Sequence, residues 1–379
     1  MLAGIPLLTL VLIAPVLQAD QPAPSELPTA SVPVFQAGED GFPAYRIPSL
    51  VVTAKGSVLA FAEGRANGSD HARNKIVLKR STDGGRNWGK LHVVAEDGDN
   101  SLNNPCAIAL PAGRVLLVYQ RYPKSLDEHN TMDGVAGDQT SLSFLTVSDD
   151  DGATWGTPVD ITAQVKRPKG VTSHCSGPGI GAQLTRGEHK GRIMVPFNQG
   201  PYGKWEVYAA WSDDQGQTWK YGDVAPGGQS HRPNEVQFVE LSDGRVMLNA
   251  RGMAGEHFRK TAVSADGGQT WSALADDRNL LEPRCMASII RASFPDGGSS
   301  GLILYSGPNS QNRRAAGTIR GSDDDGQTWK LSRELVPGVF GYSCLALLPD
   351  GSVGCLYESE ISRKINFVRF TLAWLKGGE

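Results

Sequence analysis

The sequence predicts an all-β chain folded as a six-bladed β-propeller, and two independent repeats predict it. The first is Ser-x-Asp-x-Gly-x-x-Trp, an Asp box, which occurs five times. The second is a unit of apolar strand, Gly-containing turn and apolar strand, which occurs six times. Repetition at long period fixes an architecture before any single residue is interpreted.

The boxes lie at Ser81-Asp83-Gly85-Trp88, Ser148-Asp150-Gly152-Trp155, Ser212-Asp214-Gly216-Trp219, Ser264-Asp266-Gly268-Trp271 and Ser322-Asp324-Gly326-Trp329. Their serines are 67, 64, 52 and 58 residues apart, a unit long enough for about four short strands. Ser and Asp side chains bond nearby backbone N–H groups, Gly takes φ > 0, and Trp covers the turn with apolar surface. The rival reading, calcium loops, lacks the Glu and the dense oxygen ligands of a dedicated site.

The hairpins span residues 46–65, 104–119, 177–197, 234–251, 284–307 and 341–358. Val/Ile/Leu runs of this length, joined by turns such as Asp-Gly or Lys-Gly, read as antiparallel pairs. Each blade then begins with a hairpin, and the box closes the turn between its later strands. The sixth blade has no box. A strand near residues 32–36 is expected to complete it, close the ring and remove the exposed edges.

Composition agrees with one large β domain: 379 residues, 45 Gly, 23 Pro and a net charge of −3. The absence of Lys/Arg blocks argues against nucleic acid, since phosphate neutralisation needs clustered cations. Residues 1–19 carry an apolar run, too short to span a bilayer comfortably, that reads as an export signal, with a retained N-terminal anchor as the alternative. Residues 20–30 form a Pro-rich linker and 31–379 the propeller. The expected location is periplasmic or secreted, with no integral membrane domain and a monomeric state. Five cysteines without Cys-x-x-Cys spacing give neither a disulfide framework nor a zinc site, and the seven scattered histidines suggest no metal. No cofactor is expected.

In an antiparallel hairpin the start of the first strand and the end of the second share one edge of the sheet. Arg46, Glu235 and Tyr342 therefore meet Arg65, Arg251 and Glu358 on one rim. Arginines converging from different blades repel one another unless carboxylates or a bound anion neutralise them.

Here the residues carry a family resemblance. The boxes, Tyr-Arg-Ile-Pro at 45–48, Asn-Glu-Val-Gln-x-Val-Glu-Leu at 234–241 and the Gly-Tyr-Ser…Leu-Tyr-Glu pattern at 341–358 resemble bacterial exo-sialidases. That resemblance implies a six-bladed propeller acting on sialylated glycoconjugates or free sialosides. It implies that Arg46, Arg251 and Arg314 grip the substrate carboxylate, with adjacent Arg313 an open alternative to Arg314. It implies further that Glu358 holds Arg46, that Arg65 is directed at the sugar ring, and that Asp70 is the acid/base. Tyr342 then matches the nucleophile and Glu235 its activating base. Ile180 and the Arg284-Cys285-Met286 run depart from relatives, and Ile180 is expected to bear on the sugar's substituent pockets. The polar loop at 123–140 reads either as the aglycone wall or as a surface insertion. Two other classes remain open at this point: a non-catalytic glycan-binding propeller, and a propeller enzyme acting on another acidic sugar such as a uronate.

Overall fold

Five of the six apolar hairpins become the inner half of one blade each. The computed structural model describes Met1 and residues 27–377; the expected export signal after Met1, and the expected linker up to residue 26, lie outside the described residues. Blade 1 runs through Ala44–Val52, Val58–Arg65, Lys75–Ser81 and His92–Ala95, and the other blades repeat this order. Blade 6 consists of Ser343–Leu347, Val353–Glu360 and Lys364–Phe370, and Val32–Gln36 pairs with the last of these. The N-terminal strand therefore closes the ring where the sequence expects it.

The continuous apolar runs follow from this arrangement, because both faces of every blade are covered. Six apolar clusters each join two neighbouring blades. Leu59, Phe61 and Ile76 of blade 1 meet Ala107, Val115 and Leu117 of blade 2. Val58, Ala60 and Val77, on the opposite face of blade 1, meet Cys344, Leu356 and Phe367 of blade 6. The remaining junctions repeat the pattern around the ring. All five cysteines are free and buried, as small apolar side chains. Among the described residues no helix is long and apolar enough to cross a membrane.

The boxes sit between the third and fourth strands. Ser81 Oγ donates to Asp83 Oδ1 at 2.7 Å and accepts the Gly85 N–H at 2.9 Å, and Asp83 Oδ1 accepts the Asn87 N–H at 2.9 Å. Each box also fastens its blade to the preceding one. A Cβ on Gly85, at φ +84°, would stand 2.1 Å from the Phe367 ring of blade 6, so both backbone conformation and proximity require glycine there. Trp88 packs edge-on against the same ring. Blade 6 lacks a box, and the short helix Leu372–Lys376 takes over its fastening role. Its Trp374 is buried with Leu302, Leu304 and Ile319 of blade 5 and lies under the Arg333 guanidinium.

The third hairpin departs from the sequence reading. Its inner strand is Ser173–Ser176, upstream of the expected start, and it breaks at Gly177-Pro178. Gly179–Ile180 then pairs in parallel with Ser101–Ala109 of blade 2, and Ala182–Gln183 rejoins blade 3. Pro178 has no N–H to give the ladder, and the pairing of Ser173–Ser176 ends just before it. Ile180 accordingly packs into three of the inter-blade clusters. It is a central packing residue and does not line the pocket described below, which corrects the expectation that it shapes a sugar pocket.

Candidate active site

The rim predicted from hairpin ends is a pocket of about 220 Å³, lined by Arg46, Arg65, Asp70, Glu235, Arg251 and Tyr342 among others. Arg46 lies on the first strand of blade 1, where the ladder shifts register between Arg46 and Ser49 and Ile47 takes φ 62°. That value is costly for a β-branched residue and is held by the Ile47 N–H, which donates to Glu358 Oε1 at 3.1 Å. The bulge leaves Arg46 free to form a two-point pair with Glu358, Nε to Oε1 at 2.8 Å and Nη2 to Oε2 at 3.3 Å. Arg46 Nη1 stays on the pocket side, 3.7 Å from Asp70 Oδ1. Burial pushes the Glu358 pKa up, but Arg46 and the Ile47 N–H outweigh it and hold the carboxyl below its ordinary value.

Tyr342 precedes the inner strand of blade 6, and its hydroxyl donates a short hydrogen bond to Glu235 Oε1. Arg251 Nη1 donates to both Glu235 Oε2 at 2.7 Å and the Tyr342 oxygen at 2.9 Å. Two more guanidinium carbons flank the phenol ring, Arg46 at 4.8 Å and Arg314 at 5.1 Å from its centroid. Burial first, then the Glu235 charge, push the Tyr342 pKa well above its ordinary value against the pull of Arg251, Arg314 and Arg46. The phenol is therefore neutral at rest, with a proton acceptor and a cation already on its oxygen. Ile47, Cys285 and Met286 pack with Tyr342 in a small apolar cluster, which gives the unassigned Cys285-Met286 pair a structural place.

Of the two candidate arginines, Arg314 is the one whose side chain lies at Tyr342. Its Nη2 donates to the Arg284 carbonyl at 2.9 Å and its guanidinium faces Tyr342, whereas Arg313 is exposed. Arg65 is pinned through Nε and Nη2 to Glu63 Oε2, at 2.8 and 2.5 Å, and gives Nη1 to Asp70 Oδ1 at 2.7 Å. Burial raises the Asp70 pKa, but Arg65 and then Arg46 overcome it and set the carboxyl below its ordinary value. Each cluster arginine except Arg314 thus meets a carboxylate, which removes the repulsion that the sequence raised.

The structure brings every predicted site residue to this rim and adds several that the sequence missed. Glu63 is fully buried beneath Arg65. Two residues apart on one strand, the two side chains share a face, so strand periodicity alone could have found the pair. Glu128, from the loop at 123–140, lines the opposite wall; burial, then the charges of Asp70 and Glu235, lift its pKa to about 7. His71 packs on Tyr122 at 4.4 Å, and His129 stacks on Tyr202 at 3.7 Å between centroids, bridging loops of blades 2 and 3. The loop at 123–140 therefore walls the pocket. Among the described residues no cluster of His, Cys, Asp or Glu could hold a metal ion.

Known proteins resemble this chain. A family described as BNR repeat-like domain matches residues 56–355. A sialidase of Micromonospora viridifaciens is 38% identical over 352 residues, covering 90% of this chain and 53% of that protein. Sialidase-2 of Mus musculus is 31% identical over 378 residues, covering 90% of this chain and 97% of that protein. Among solved structures, the Hadza microbial sialidase Hz136 superposes with a TM-score of 0.82 at 30% identity, over 91% of this chain and 69% of that one. The chain spans about half the length of the Micromonospora relative. Fold and relatives together define a six-bladed β-propeller of the BNR-repeat kind. The chain belongs to the sialidase family.

Proposed function

We propose that this chain is an exo-α-sialidase that releases terminal sialic acid from glycoconjugates with retention, through a covalent intermediate on Tyr342. The observation that carries the reading is the Tyr342 hydroxyl, placed between a carboxylate acceptor on Glu235 and a guanidinium donor on Arg251. A binding module has no use for such a pair.

The anomeric carbon of sialic acid bears a carboxylate, which repels an anionic nucleophile. A neutral phenol approaches without that repulsion and loses its proton to Glu235 only as the bond to carbon forms. Sialidases with a tyrosine nucleophile stand outside the two-carboxylate rule of most glycosidases for this reason. The substrate carboxylate fits the unengaged guanidinium edges of Arg46, Arg251 and Arg314, whose planar N–H groups pair with it in two-point contacts. Neutralising Arg46 in this way weakens one of the charges that, after that of Arg65, depress Asp70, so its pKa rises as the sugar seats.

Asp70 then donates its proton to the glycosidic oxygen while the Tyr342 oxygen attacks and the aglycone departs. In the second half Asp70 takes a proton from water, the water oxygen bonds to the anomeric carbon as the bond from that carbon to the Tyr342 oxygen breaks, and the departing Tyr342 oxygen recovers its proton from Glu235. Arg251 stays hydrogen-bonded to the tyrosyl oxygen as it gains and loses charge. Positioned acid–base groups of this kind contribute about 10²–10⁴-fold each.

Release of a chromogenic aglycone from a sialoside, compared with the matching glucuronide, tests the substrate class. Turnover of the sialoside is expected, with the glucuronide at least about 10²-fold slower, because its pyranose lacks the carboxylate on the reacting carbon that the arginines meet. Equal rates would make this an enzyme of acidic sugars in general, and no turnover of either would make it a binding propeller.

A further inference from the structure

Asp70 presents an unusual problem of placement. Its side chain is 65% exposed, and the residues before it, 66–69, are all exposed, so little packing holds the loop. An acid on such a loop must still reach one oxygen atom within hydrogen-bond distance. The structure supplies a fixed point from beneath. The backbone carbonyl of Asp70 accepts two side-chain hydrogen bonds, from Asn74 Nδ2 at 2.6 Å and from Asn103 Nδ2 at 2.7 Å. Both asparagines are buried, at 1% and 4% exposure, and they come from different blades.

Each amide nitrogen has two hydrogens, and each directs the second to Glu63: Asn74 Nδ2 to Oε2 and Asn103 Nδ2 to Oε1, both at 3.3 Å. Glu63 is filled by the Asn104 N–H at 2.8 Å and by the Arg65 fork. One buried carboxylate therefore anchors both ends of the Asp70 residue, its side chain through Arg65 and its carbonyl through the asparagines. Asn103 Oδ1 has no partner although it is buried. The Asn103 side chain is accordingly oriented by its NH₂ contacts alone, and those contacts lead to Asp70 and Glu63.

We infer that Asn74 and Asn103 are positioning residues for the acid step: together they clamp the Asp70 carbonyl and hold its carboxyl at the leaving-group oxygen. The inference rests on the reading of Asp70 as the general acid. Asn74 lies outside the pocket lining and Asn103 gives its amide nitrogen to Asp70 and Glu63, so loss of the clamp should impair proton delivery and leave Tyr342, Glu235 and the arginines in place.

The test uses kcat/KM of the full chain on two sialosides, one with an alkyl or sugar leaving group that needs a proton and one with an acidic nitrophenol that does not. The ratio of the two rates is independent of how much of a variant is folded, because misfolded protein loses both equally. Asn74→Ala and Asn103→Ala are each expected to lower the poor leaving group's rate by about 10-fold relative to the aryl sialoside, and the double variant by more. Asp70→Asn, measured beside them, separates the two ideas. If Asp70→Asn shows the selective loss and both asparagine variants keep the parent ratio, the clamp is wrong and the acid stands. If Asp70→Asn itself loses both substrates equally, the acid assignment fails and the clamp fails with it.

Discussion

Tyr342→Phe is expected to lower kcat on natural sialosides by at least about 10²-fold while the fold survives. The substitution removes one oxygen and no carbon, so the apolar contacts of the ring with Ile47, Cys285 and Met286 remain. It also leaves the Arg251–Glu235 pair at 2.7 Å in place, so neither charge is stranded in the pocket. The cost to stability is that of one buried hydrogen-bonding group, about 1 kcal/mol. The cost to the reaction is the nucleophile itself, whose bypass requires water to attack directly beside a substrate carboxylate. Steady-state rates on sialyl-lactose, with the melting temperature measured alongside, check both halves of the statement. Activity within about fivefold of the parent, in folded protein, removes Tyr342 from the mechanism.

Asp70→Asn should show a loss of similar size with a different signature. An amide cannot supply the proton, so turnover of a sialoside with a sugar leaving group is expected to fall by about 10²–10⁴-fold. An acidic phenol departs without help, so the aryl sialoside should lose far less. The pH dependence has a definite sign. In the free protein Arg65 and Arg46 keep Asp70 ionised down to below the ordinary carboxylate range, so the proton it donates must be acquired with substrate bound. The alkaline limb of kcat for poor leaving groups should therefore be present in the parent and absent in Asp70→Asn. A parent and variant with superimposable pH profiles would falsify the acid role.

The fold was legible because its instructions repeat. The hairpin recurs six times and the box five times around the ring, and the period survives insertions that blur any one copy. What did not repeat could not be read in the same way. The Leu372–Lys376 helix fastens blade 6 with Trp374, yet nothing ahead of that tryptophan follows the Ser-x-Asp-x-Gly spacing. The Gly177-Pro178-Gly179 run reads as the start of the third hairpin, but its passage across to blade 2 depends on the neighbouring strand Ser101–Ala109, which lies far away in the sequence.

The site divides along the same line. Arg46, Arg65, Glu235, Arg251, Tyr342 and Glu358 occupy equivalent hairpin ends, so topology alone gathers them. Asp70 and Arg314 came from resemblance, and the choice between Arg313 and Arg314 turned on which guanidinium the backbone directs at Tyr342. Asn74 and Asn103 left no signal, since isolated asparagines read as turn formers and their shared target is a backbone carbonyl. Glu128 stands in a polar loop without strand patterning, and its place in the pocket follows from how that loop lies against Tyr202.

The central claim is that Tyr342 forms a covalent bond to the sugar, which requires two displacements at the same carbon. Proton NMR of an α-sialoside during the first minutes of hydrolysis reads this directly, because free sialic acid mutarotates slowly enough for the first anomer to be seen. The account predicts that the α-anomer appears first and converts afterwards to the β-form. Immediate appearance of the β-anomer would mean a single displacement by water, and would contradict a tyrosyl intermediate whatever the mutants show.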